Sequence, residues 1–102
     1  IIWLNVSESG LTDQQLKPVS EFQNLEKLRL EKNPITGAGL AHLVNLKHLN
    51  AINLYKTNVT SKGLTQLKGL EQLKTVYLWQ TNVDTAELKT LFNDKPDLKF
   101  VF

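Results

Sequence analysis

The chain contains no cysteine and no methionine. The first absence removes disulfides, thiolate metal ligands and thiol nucleophiles together, and leaves the redox compartment open. Neither sign of charge dominates: 12 lysines and arginines stand against 10 acidic residues, a formal +2, with the two signs interspersed. A nucleic-acid binder usually carries a basic face, so no nucleic-acid partner is expected. No apolar run approaches the roughly 18 residues that cross a bilayer, so no direct membrane insertion is expected either. A signal-peptide pattern is also missing, and the abrupt apolar opening Ile1, Ile2, Trp3 reads as a segment cut from a longer protein, here its C-terminal part. What is present is a hydrophobic fraction of 41%, ordinary for a packed domain and against disorder.

The apolar residues recur. "RLEKNPI", "NLYKTNV" and "YLWQTNV" follow one another at intervals of 24, and the opening "NVSESGL" keeps the same register. Leu4, Leu28, Ile52 and Val76 form one column; Val6, Leu30, Leu54 and Leu78 a second; Leu11, Ile35, Val59 and Val83 a third. Leu16, Leu40, Leu64 and Leu88 continue the pattern, as do Val19, Leu43, Leu67 and Leu91. A fixed period of this length marks a repeat array. The expected units are about 1–24, 25–48, 49–72 and 73–97, with a capping strand over 98–102, all within one domain.

Spacing inside each unit assigns its parts. Leu28 and Leu30 alternate as in a strand, whereas Leu40, Leu43 and Leu46 are three apart, as in a short helix or 3₁₀ segment. Thr12, Thr36, Thr60 and Asp84 stand where N-caps belong, and Thr12 with Gln15, like Asp84 with Glu87, completes a capping-box pattern. Pro18 is expected to shorten the first helix and Pro96 to end the last. Such units bury their apolar sides by stacking: strands join into a parallel sheet and helices back it. The polar column Ser9, Asn33, Thr57, Thr81 is expected to bond the loop backbones of neighbouring units.

The pattern L-x-x-L-x-L-x-x-N/T-x-L, seen best in "LEKLRLEKNPI" from Leu25 to Ile35, resembles the leucine-rich repeat family. The resemblance covers the whole chain and, through the helix behind each strand, extends to the ribonuclease-inhibitor-like class. It implies an α/β solenoid with its parallel sheet on the concave face. "LKTVYLWQTNV", with the capped helix and "KPDLKFVF" after it, resembles the C-terminal leucine-rich tail of bacterial cytochrome-c-like envelope proteins. That likeness implies a periplasmic or cell-envelope address. No C-x-x-C-H is present to hold haem.

The two ends differ. Asp94 and Asp97 replace leucines of the preceding units, as a terminal cap requires. "LKFVF" matches "LKTVY" if one residue is inserted, and this register is the expected one. It sets Leu98 beside Leu73 and Val101 beside Val76, and turns Phe100 and Phe102 outward. The first strand belongs to an internal unit, so its open edge is expected to support self-association.

Strand residues between the core leucines face outward in three rows: Trp3, Lys27, Ala51, Thr75; Asn5, Arg29, Asn53, Tyr77; and Ser7, Glu31, Tyr55, Trp79. Aromatic residues with arginine and asparagine around them have the composition of binding hot spots. Trp3, Asn5, Arg29, Glu31, Asn53, Tyr55, Tyr77 and Trp79 are therefore the candidate partner-binding residues. A protein, peptide or glycan would be the partner of such a face. The rival reading is a structural or spacer domain that packs against other domains of its parent envelope protein, its aromatics covering one another.

Catalysis finds no support. His42 and His48 are six apart, without the i, i+4 spacing or the third ligand of a helical zinc site, so no metal is expected. "GAG" at Gly37 to Gly39 lacks the flanking residues of a dinucleotide motif, and neither a P-loop nor G-x-S-x-G occurs. No catalytic residue and no cofactor is expected.

Overall fold

The computed structural model describes residues 2–102 as strands and helical segments in alternation. Strand β1 (Trp3–Asn5) leads to a 3₁₀ helix, Gln14–Glu21; β2 (Lys27–Arg29) leads to helix α1 (Gly37–Leu40), which runs on into a 3₁₀ turn, Ala41–Leu43. Strand β3 (Ala51–Asn53) leads to a second 3₁₀ helix, Gly63–Gly69; β4 (Thr75–Tyr77) leads to α2 (Thr85–Leu91); β5 (Lys99–Val101) follows. The strands make one parallel sheet in chain order. Trp3 pairs with Lys27, Lys27 with Ala51, Ala51 with Thr75 and Thr75 with Lys99, so every partner lies 24 positions further on.

Leu28, Ile52 and Val76 at the strand centres join Leu40, Leu43, Leu64, Leu67 and Leu88 of the helical segments in one buried cluster. Each leucine taken fully out of water contributes about 1.5–3 kcal/mol. Spacing of three between Leu64 and Leu67 suits the 3₁₀ form, whose side chains eclipse at that interval. Helix α2 is a true α-helix, and its core residues are Leu88 and Phe92, four apart. Phe92 thereby takes the buried place expected for Leu91, which is only half-buried.

This shift corrects the expected register of the last strand. Val76 pairs with Phe100, not with Val101, and Phe100 points to the core side, its ring 5.1 Å from that of Phe92 at 72°. Turning Phe100 outward would forfeit that edge-on contact. The extra residue is absorbed in the approach: the Leu98 amide donates to the Lys95 carbonyl, as Leu73 does to Leu70, while the strand itself resumes at 24.

The polar column acts less uniformly than expected. Asn33, buried, bridges two units: its Oδ1 accepts from the amides of Ser9 at 3.0 Å and Leu11 at 2.9 Å, and its Nδ2 donates to the carbonyls of Val6 and Leu30. Thr57 and Thr81 instead donate to Leu54 and Leu78 carbonyls, three residues back in their own units. A hydroxyl is too short, and has too few donors, to repeat what a carboxamide does.

Thr36 caps α1 through the Ala38 amide, and Asp84 caps α2 through the amides of Ala86 and Glu87. Thr60 accepts from Gly63. At Thr12 half of the expected box forms: Gln15 accepts from the Thr12 amide, but the Thr12 hydroxyl caps nothing. Pro18 sits inside its 3₁₀ helix without breaking it, and α2 stops at Leu91, well before Pro96. Three bridges tie the cap regions of successive units. The Asp13 carboxylate accepts from the Thr36 amide and hydroxyl; Gly37 and Gly63 meet directly; Ser61 exchanges two bonds with the Asp84 backbone.

Candidate functional site

The backbone ladder runs past the three-residue strands. Lys32 donates to the Tyr55 carbonyl at 2.8 Å and Lys56 to the Trp79 carbonyl at 2.9 Å, so the third row also lies in register. Glu8, Lys32, Lys56 and Gln80 then adopt left-handed conformations, φ between 50 and 59°, and carry the chain off the sheet. Left-handed backbone costs a non-glycine residue roughly 1–2 kcal/mol, and its recurrence at one place in each unit marks it as part of the coil.

On the outward face Tyr55, Tyr77 and Trp79 come together. The Trp79 ring lies 5.8 Å from Tyr77, nearly parallel at 24°, and 6.4 Å from Tyr55, edge-on at 77°. Trp79 keeps 42% of its surface exposed, and both tyrosines are half-buried. The expected contribution of Phe100 and Phe102 is absent: Phe100 is inward, and Phe102 lies with Phe92 and Leu98 at the core-side edge.

A second group forms around Glu31. Among the outward rows it is the residue the fold withdraws, only 6% exposed. Arg29 holds it through Nε at 3.0 Å and through Nη2, and Asn53 Nδ2 stands 3.4 Å from the same oxygen. The hydrogen bond it donates to Glu31 raises the Arg29 guanidinium above its ordinary value. Asn5 and Asn53 also turn their own backbones, each Oδ1 accepting from the amide two residues on, at Ser7 and Tyr55. Trp3, 71% exposed, stands apart from the other rings on β1.

Between Trp3 and the aromatic cluster runs a trough of about 400 Å³, lined by Trp3, Asn5, Lys27, Arg29, Ala51, Asn53 and Tyr77. Lys27 and Ala51 were not expected to belong to the site. The signal was present: they share the 24-residue column of Trp3, and Ala51 is its smallest member. Among the described residues no group of three or more histidines, cysteines or carboxylates could hold a metal. Nor is any helix there long and apolar enough to cross a membrane.

Leiomodin-1, in a structure of its actin-binding site 2, superposes on 98% of this chain and 68% of its own, with TM-score 0.75 and 17% identity. A leucine-rich repeat protein of Leptospira interrogans aligns with 84% of the chain at TM-score 0.54 and 19% identity. An internalin, InlF, of Listeria monocytogenes aligns with 84% at 0.52 and 20%. This is a leucine-rich repeat fold. The chain spans only 27% and 30% of those two bacterial proteins. No family model matches it, and no curated protein does.

Proposed function

We propose that the chain is a non-catalytic interaction module that takes a protein or peptide on the outward face of its sheet. The unit of construction in this reading is a 24-residue coil of strand and helix, four times over with a closing strand. The observation that carries the proposal is the cluster of Tyr55, Tyr77 and Trp79, which is packed ring on ring yet leaves Trp79 42% exposed. Aromatic rings bury large area at low entropic cost and dominate binding hot spots. The likeness to a leiomodin-1 segment named for binding actin supports a protein partner over a small molecule.

Area sets the scale. Five strands about 4.8 Å apart and roughly 16 Å long offer on the order of 400 Å², against about 800 Å² per partner in a standard interface. A short segment or loop fits this face alone.

Selection of displayed random peptides against the chain, with counter-selection against the Tyr55→Ala, Tyr77→Ala, Trp79→Ala triple variant, tests the reading. Recovered peptides should bind the parent and lose the variant. Peptides that bind both equally would place recognition elsewhere and favour the spacer role.

A further inference from the structure

The trough narrows the chemistry of the partner, an inference that rests on the sheet-face reading above. Ala51 lies in the middle strand of the first row, with Lys27 on β2 and Thr75 on β4 beside it. A small side chain between larger ones makes a dip, and the dip is walled by the exposed indole of Trp3 and the half-buried ring of Tyr77. Its volume of about 400 Å³ exceeds what one leucine or phenylalanine side chain fills.

Charge on the three outward rows is one-sided. Lys27, Arg29 and Lys99 supply three cations, and Glu31 is the single carboxylate. Glu31 is buried, and its oxygens are engaged by Arg29 and Asn53. It therefore fixes the guanidinium in place and presents no negative surface. The pair uses Nε and Nη2, which leaves Nη1 outside it, on a side chain 57% exposed. Three cations less one carboxylate is +2, equal to the net charge of the whole chain, so this face concentrates the entire excess.

We propose that the trough over Ala51 seats one large apolar side chain of an acidic protein segment, whose flanking carboxylates pair with Lys27 and with Nη1 of Arg29. The apolar side chain supplies affinity between Trp3 and Tyr77, and the carboxylates supply orientation and selectivity.

Three blocked pentapeptides titrated into ¹⁵N-labelled chain test this: Glu-Asp-Leu-Asp-Glu, Glu-Asp-Gly-Asp-Glu and Lys-Lys-Leu-Lys-Lys. The first should shift amides of Lys27, Arg29, Ala51 and Tyr77. It should bind about tenfold tighter than the glycine peptide and about fivefold or more tighter than the lysine peptide, with the second advantage shrinking as salt rises. Ala51→Trp should fill the trough and erase the advantage of leucine over glycine. Lys27→Glu, at an exposed position that the fold does not depend on, should narrow the preference for acid. A lysine peptide bound equally well at the same amides would overturn the acidic partner while leaving the sheet-face reading intact. Shifts confined to the helical side would sink both. Absence of any shift at millimolar peptide would overturn the inference.

Discussion

Gly37 and Gly63 meet backbone to backbone. A β-carbon on Gly37 would stand 2.5 Å from the Gly63 Cα, and one on Gly63 would stand 2.9 Å from the Gly37 Cα. The second and third coils approach so closely at the start of their helical segments that no side chain fits between them. The neighbouring junctions are bridged by side chains instead, Asp13 to Thr36 and Ser61 to Asp84. Gly63→Ala should therefore cost about 1–3 kcal/mol through overpacking, although alanine improves an unhindered helix position by roughly 1 kcal/mol. Gly69 has nothing within 4 Å of an added β-carbon, so Gly69→Ala should be neutral or gain about 0.4–1 kcal/mol. Urea unfolding of the two variants checks the contrast, and equal effects would contradict it.

Asn33 joins the first coil to the second through three backbone groups of the first, the amides of Ser9 and Leu11 and the carbonyl of Val6, and also donates to the Leu30 carbonyl of its own coil. Asn33→Ala should leave the amides of Ser9 and Leu11 without their acceptor. At about 1–3 kcal/mol per buried unpaired group, some of it relieved by water at this half-buried edge, the expected loss is about 2–4 kcal/mol. Asn33→Thr should lose nearly as much, because Thr57 and Thr81 bond only within their own coils. Hydrogen exchange should show the Ser9 and Leu11 amides deprotected in both variants; intact protection in the threonine variant would refute the bridging role.

Lys68 closes the end of α2. Its Nζ donates to the Leu91 carbonyl at 2.8 Å, stands 2.9 Å from an Asp94 oxygen and lies 5.6 Å from the Phe92 ring centre. The hydrogen bond from Lys68 holds the Asp94 carboxyl below its ordinary value of 3.8. A carboxyl depressed in the folded state adds stability above its unfolded pKa, and that stability drains away as pH falls through the folded pKa. The gap in stability between the parent and Asp94→Asn should thus be constant from neutral pH down to about 5 and close on acidification below 3.8. A gap unchanged at strongly acid pH would show that Asp94 acts by shape and not by charge.

Much of this was legible in the residues. Columns of leucine, isoleucine and valine at 24 fix the sheet register through β4, because a stacked coil must bury the same positions each time. Thr36 and Asp84 announced their caps, and the outward placement of Tyr55, Tyr77 and Trp79 followed from alternation with the core. The last strand was not legible. Asp94 and Asp97 interrupt the leucine columns there, and α2 adopts the α form, which replaces Leu91 by Phe92 and draws Phe100 inward. The burial of Glu31 was hidden for another reason: alternation gives the direction of a side chain and not the partners that close over it. The approach of Gly37 to Gly63 was not legible either, since the contact between them joins different coils.

The proposed function requires the aromatic cluster to be free for a partner and dispensable to the fold. Equilibrium unfolding of the Tyr55→Ala, Tyr77→Ala, Trp79→Ala variant tests it most directly. Two ring pairs, Tyr55–Trp79 between adjacent coils and Tyr77–Trp79 within one, at about 0.2–1 kcal/mol each, together with partial loss of apolar burial, predict a decrease of about 1–3 kcal/mol and an unchanged, cooperative transition. A loss beyond about 5 kcal/mol, the range reserved for core residues, would contradict the account and make the three rings part of the packing.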